Sequence, residues 1–298
     1  MNILQFLNLF DMLRKMTQNL GMQNNKLEYL KLHISVLLAG FTGLLAKLTS
    51  LNEVMIVWYR MLFAFVIFSV MLLIMKKKPA ENVKDALKIT GLGALLAIHL
   101  IFFFGSMKYA TLSIGVVCYS LVGFFTVIME PLVLKTKFSF LELFYSLIAV
   151  FGIGLIFNFD TSYRFGIVLG VISAALFALY TLFNKTILQG KSSRSMLFYE
   201  LFGGALFMGL FLPIGLDWLW LILLAFFCTV ILYLLHIAVL KTLSAFTVSL
   251  AGNLEPVYGI ILAVLFLGEA QDFTLSFYIG MILIFSSVFL QSVVKKRV

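Results

Sequence analysis

Long apolar runs separated by short polar stretches set the rhythm of this chain. Residues 61–75 and 219–233 each contain a single Ser or Thr among otherwise apolar or aromatic side chains. A helix needs roughly 20 mostly apolar residues to cross the hydrocarbon core of a bilayer. Segments of that kind lie at about 32–48, 54–75, 88–106, 112–134, 140–158, 165–187, 196–213, 217–238, 246–267 and 274–293. A membrane-spanning barrel would instead show segments of about ten residues alternating apolar and polar. The runs here are continuous, so they predict helices. The connections are too short to hold an independent domain. The pattern therefore predicts an all-α polytopic membrane protein, with ten transmembrane helices in one bundle.

Composition agrees. The 298 residues are 62% hydrophobic and only 12% charged, with a mean hydropathy of +1.09. A soluble domain is usually about 45–50% apolar and about 25% charged. That difference excludes an ordinary water-soluble enzyme. The net charge of +9 has a topological reading, because Lys and Arg accumulate on the cytoplasmic side of membrane proteins. With the N-terminus inside, 18 of the 22 basic residues fall in inner regions. Lys47, Lys108 and Arg164 fall outside, and Arg60 lies within a span. Both termini are thus expected in the cytoplasm of a bacterial-type inner membrane. Lipid is the expected large partner, nucleic acid is not, and no obligate protein partner is evident.

Other features add limits. Cys118 and Cys228 both lie in apolar runs, so no disulfide framework or metal-ligand set is available. No cofactor is expected. The first residues carry Ile3, Phe6, Leu7, Phe10 and Leu13 at helical spacing, interrupted by Asp11, Arg14 and Lys15. No uninterrupted apolar core of a signal peptide is present. Two readings stay open: a short interfacial helix, or an upstream extension with initiation at Met22.

The chain also repeats itself. Residues 35–47 (SVLLAGFTGLLAK) align with 173–185 (SAALFALYTLFNK) at an offset of 138. Trp58-Tyr59-Arg60 aligns with Phe198-Tyr199-Glu200, and Lys108-Tyr109-Ala110 with Lys241-Thr242-Leu243 at an offset of 133. Five helices per copy is an odd number, so the second copy is expected upside down in the membrane. This divides the chain into an N-terminal cytoplasmic or interfacial segment (1–29), a first repeat (30–160), and an inverted second repeat with a short cytoplasmic tail (161–298). Inverted repeats underlie alternating access in many secondary transporters, with substrate bound where the repeats meet.

Leu254-Glu255-Pro256-Val257-Tyr258-Gly259, running on to Leu267-Gly268-Glu269, resembles the signature of the EamA family of the drug/metabolite transporter superfamily. The resemblance covers about residues 30–293. It implies ten helices in two five-helix repeats. It also implies export or exchange of small metabolites, notably amino acids, through a pathway lined by helices 1, 3, 4, 6, 8 and 9. One departure is that the 133-residue offset sets Val122-Gly123 opposite Glu255-Pro256, whereas Met129-Glu130-Pro131 comes later in the first repeat. The two Glu-Pro pairs are therefore expected at different depths.

A charge in the middle of a span costs about 2.5–3.5 kcal/mol on insertion scales. Arg60, Glu130, Glu200 and Glu255 are the charges inside the spans that call for explanation. Glu255 shares a face with Gly252 and Gly259, which directs it into the bundle. Pro256 leaves the Gly252 carbonyl without its helical donor. With Asn253 beside it, this turn fits an ammonium group or a proton, or else a structural kink. Glu130 extends a stripe of Tyr119, Gly123 and Thr126; Ser173, Phe177, Tyr180 and Asn184 form a second. His99, Phe103 and Ser106 form a third, and Thr229, Tyr233 and His236 a fourth. Such stripes line a cavity or pack helix on helix. The two histidines serve as neutral core residues or as a proton relay. Arg60 and Glu200 occupy matching repeat positions, but inversion would separate them by most of the core, so no salt bridge is expected. Gly203 and Gly204 beside Glu200 point to helix packing.

These features predict a secondary transporter of a small polar or amphipathic metabolite, with protons as a candidate coupling ion. No GxxxxGK[ST] motif supports direct ATP coupling. The alternatives are an intramembrane enzyme or lipid-handling protein, for which no familiar catalytic motif is found, and a sensor or scaffold, for which the loops are short.

Overall fold

The computed structural model describes residues 24–79, 81–159, 161–209, 218–252 and 254–295. The amphipathic N-terminal pattern, Met22 and Asn253 lie outside the described residues. Among those described, every regular element is helical. The first half comprises α1 (Asn24–Lys47), α2 (Glu53–Ile74), α3 (Val83–Tyr109), α4 (Leu112–Tyr119), α5 (Val122–Leu134) and α6 (Phe140–Phe159). The second comprises α7 (Arg164–Ile187), α8 (Ser193–Gly209), α9 (Trp218–Ala225), α10 (Leu232–Val239), α11 (Ala245–Gly252), α12 (Glu255–Leu262) and α13 (Leu275–Lys295).

Among the described residues, six stretches are long and apolar enough to cross a membrane: Leu27–Lys47, Glu53–Ile74, Val83–Tyr109, Leu112–Leu134, Arg164–Ile187 and Leu219–Val239. Shorter apolar helices cover Phe140–Ile156, Glu255–Leu267 and Leu275–Ser287. Outward-facing apolar side chains such as Leu132, Phe140 and Leu275 are more than three-quarters exposed. Lipid solvates such a surface; water does not.

Local chemistry sets several boundaries. Asn52 accepts from the Met55 N–H at 2.9 Å, and Asn82 from that of Asp85 at 2.9 Å. These side chains satisfy donors that a helix start leaves without partners. The Asn82 cap explains why α3 begins five residues before the marked segment at 88: hydropathy fades there, but hydrogen bonding continues. Lys135 closes α5 in the left-handed region at φ 55°.

Two of the expected spans are broken near their middles, and the breaks correspond. Leu112 and Tyr119 bound α4 as Ala245 and Gly252 bound α11, each 133 residues on. Val122 opens α5 as Glu255 opens α12, at the same offset. Pro256 therefore differs from the expected kink inside a continuous helix. It occupies the first turn of a new helix, where its missing N–H removes no hydrogen bond.

The halves interlock. α3 packs on both α7 and α8, and α1 on α10 and α12. The α3–α8 approach depends on glycine. A Cβ at Gly93 would lie 2.0 Å from the Glu200 carbonyl oxygen, and one at Gly203 would lie 2.1 Å from that of Thr90. Backbone touches backbone there, so no side chain fits.

Candidate functional site

Arg60 projects from α2 and is 1% exposed. Its Nε donates to Thr229 Oγ1 at 2.6 Å, and its Nη2 donates to the Cys228 carbonyl. Both acceptors belong to a π-helical turn, Phe226–Ile231, that joins α9 to α10. A π-turn loosens the regular i→i−4 ladder, and such bulges concentrate at functional sites. Here Thr229 Oγ1 reaches the Leu224 carbonyl five residues back at 3.1 Å, while the Cys228 carbonyl receives the guanidinium. Phe104 and Tyr233 hold the same guanidinium from their ring faces, with centroids at 5.7 and 5.9 Å. Its Nη1 has no hydrogen-bond partner.

Arg60 forms part of the wall of a narrow, partly open cavity of about 40 Å³, in which both halves take part. Glu255, at the start of α12, forms another part and is 4% exposed. Electrostatic attraction connects the two groups, yet no hydrogen bond or ion pair between them occurs. Of the residues singled out from sequence, His99, Phe103, Tyr119, Tyr233, His236 and Glu255 all reach this wall. Ser35, Thr42 and Ser249 supply further polar positions; their spacing alone did not distinguish them.

Aromatic rings make the wall continuous. His99 lies 4.8 Å from Phe177 and 5.9 Å from Phe103, and Tyr119 lies 5.3 Å from Phe177. Phe177 meets His236 at 5.5 Å. His99 Nδ1 is 3.0 Å from the Ser173 carbonyl oxygen. The Ser173 hydroxyl lies 2.9 Å from the same nitrogen, so Ser173 anchors this edge of the ring. His236 Nε2 has no partner.

The other candidates lie elsewhere. Thr126 donates to the Val122 carbonyl at 2.7 Å and makes a hydroxyl–hydroxyl contact of 3.0 Å with Ser249 Oγ, which places it behind the wall. Gly123 and Pro256 are buried beside wall residues Val122 and Glu255. Tyr180 donates to Glu200 at 2.9 Å and Asn184 Nδ2 donates to it at 2.6 Å. These two therefore satisfy a buried carboxylate instead of lining the cavity. Glu130 is half-buried and lies within electrostatic reach of Lys185. Lys185 in turn donates to the carbonyls of Leu240 and Leu243.

Glu269 explains one end of the Leu-Gly-Glu motif. Gly268 turns the chain at φ 70°, and the buried Glu269 carboxylate then accepts from the N–H groups of Leu112 and Ser113, both at 2.9 Å. A carboxylate at a helix start offsets its unpaired donors and its dipole. Among the described residues, no group of three His, Cys, Asp or Glu side chains could hold a metal ion.

The family model of the EamA-like transporter family matches this chain twice, over residues 26–158 and 164–293. One solved structure, described only as the crystal structure of a protein, is 16% identical with a TM-score of 0.67. It covers 91% of this chain and 98% of its own, which establishes a shared fold. No curated protein matches.

Proposed function

This chain belongs to the EamA-like transporter family, and from that premise we propose that it exports or exchanges small metabolites, amino acids first among them. The observation that carries the reading is the narrow cavity between the halves, with a guanidinium from the first half and a carboxyl group from the second in one aromatic wall. Lipid cannot satisfy such groups. A bound metabolite carrying both charges can.

Alternating access follows if the two halves, divided near residue 160, are inverted copies. The paired breaks of α4–α5 and α11–α12 support this, since transporters use discontinuous helices around a central site. The protein would then sit in a bacterial-type inner membrane with ten spans and both termini cytoplasmic. At about 40 Å³ the cavity holds only a few water-sized occupants. A metabolite therefore needs the helices around it to separate before it fits. Glu255 is the natural coupling group if protons drive the exchange.

Counterflow into liposomes containing the purified protein tests the reading. Each of the twenty standard amino acids, radiolabelled, is offered with and without a pH gradient. Accumulation of at least one above empty liposomes is expected. Failure of all twenty ends the amino-acid reading, and indifference to the gradient removes proton coupling.

A further inference from the structure

Arg60 stands out among the cavity groups because its environment fixes it so fully and yet leaves it incomplete. Two of its nitrogens are held by the π-turn, at Thr229 Oγ1 and the Cys228 carbonyl. Two rings bracket it. The remaining nitrogen, Nη1, is buried without a partner, and the side chain belongs to the cavity wall. A buried, unpaired donor on a charged group is costly. Both acceptors lie in the irregular turn at 226–231, which gives the guanidinium its seat.

Opposite in sign, Glu255 belongs to the same wall, and none of the described residues donates a hydrogen bond to it. The two groups attract each other but do not close an ion pair. A pair that only stabilised the closed bundle would be expected to close. Held apart, each keeps hydrogen-bonding capacity for a third party. A guanidinium presents planar donors that match a carboxylate, and a carboxylate accepts from an ammonium group.

We propose that Arg60 is the specificity-determining residue of the central cavity, anchoring the carboxylate of a zwitterionic substrate through Nη1 while Glu255 receives its ammonium group. This rests on the transport reading above and adds to it the residue that selects for a carboxylate. The π-turn is the positioning device: it fixes two donors so that the third is presented without further ordering. The aromatic wall around His99 and Phe177 takes the side chain. In the second repeat the position matching Arg60 is Glu200, which Tyr180 and Asn184 already satisfy. Arg60 is the one Lys or Arg side chain in the cavity wall among the described residues.

The test compares two series in the same liposomes, each an amino acid with its decarboxylated amine and its deaminated acid. One series is L-phenylalanine, phenethylamine and 3-phenylpropanoate. The other is L-threonine, 1-amino-2-propanol and 3-hydroxybutanoate. Each compound competes for uptake of the labelled amino acid. Wild type is expected to prefer the amino acid over its amine by about tenfold or more, the scale of one charged hydrogen bond. Arg60→Gln should bring that ratio to within about twofold of unity while preference over the acid persists. Glu255→Gln should do the reverse, losing discrimination against the acid only. Arg60→Lys keeps the charge but cannot be held by Thr229 and the Cys228 carbonyl in the geometry that leaves Nη1 over, and should fall between wild type and Arg60→Gln. It also serves if Arg60→Gln proves polydisperse on size exclusion, as does the Glu255→Gln arm. Uptake by wild type with an unchanged ratio in the Arg60 variants overturns the proposal and leaves the transport reading standing. Absence of wild-type uptake in both series overturns this proposal, while the twenty-amino-acid screen alone decides the wider reading.

Discussion

Glu200 and Glu255 are both buried carboxyl groups, yet they have opposite surroundings. Glu200 accepts from Tyr180 and Asn184; Glu255 accepts from no described residue and faces the cavity. A buried carboxylate stripped of a donor loses about 1–3 kcal/mol. Asn184→Ala should therefore lower the detergent melting temperature by several degrees and leave substrate selectivity intact. A change in selectivity without a loss of stability would mean that Asn184 belongs to the substrate path instead. This distinction could not be read from spacing. Residues three and four apart reveal a shared face, so Tyr180 and Asn184 looked equivalent to Tyr233 and His236. What that face meets depends on the neighbouring helix, which for Asn184 is the one carrying Glu200. The role of Arg60 was hidden for a related reason: its seat is a π-turn in the sequence FFCTVI, where Thr229 marks a polar position but nothing marks the irregular turn.

Helix ends carry information that apolar content does not. The start of α4 has a local cap, Thr111, which accepts from the Ile114 N–H at 3.2 Å, and a second one 156 or 157 residues away, Glu269, which no rule of local capping anticipates. Loss of a helix cap costs about 0.5–2 kcal/mol. Glu269→Ala should destabilise the protein by that amount, with amide exchange rising first in α4; unchanged protection at Leu112 and Ser113 would refute the capping role. Closer to the middle, α3 and α8 touch through Gly93 and Gly203. Gly203→Val should abolish stable expression, because its side chain would meet the Thr90 backbone instead of a movable neighbour. Gly203 and Gly204 did announce helix packing in the sequence, since small residues permit close approach. Their partner Gly93 did not, because a lone glycine in a long apolar run has many explanations. The broken middle helices were likewise only half legible: Pro256 marked one break, but the matching break at Ser120 has no proline.

At the scale of the whole chain, the distribution of charge and the repeat make the same claim, and one labelling experiment decides it. If the halves are inverted copies, Lys47 and Lys241 face opposite compartments even though each follows a helix of its own half. Both side chains are exposed, and the native Cys118 and Cys228 are buried, so background labelling is low. In intact cells, Lys47→Cys should react with a membrane-impermeant maleimide. Lys137→Cys and Lys241→Cys should react only after permeabilisation. The logic is topological: an odd number of crossings must separate residue 47 from residues 137 and 241, because any one span miscounted reverses every later loop. Labelling of Lys241→Cys from outside would leave five helices per copy untenable. It would also separate the family's two-copy match from inversion. The expected pattern would tie the +9 charge to mechanism: if the inner loops that carry the basic residues hold the second half upside down, Arg60 and Glu255 come from oppositely oriented copies to the wall of one cavity.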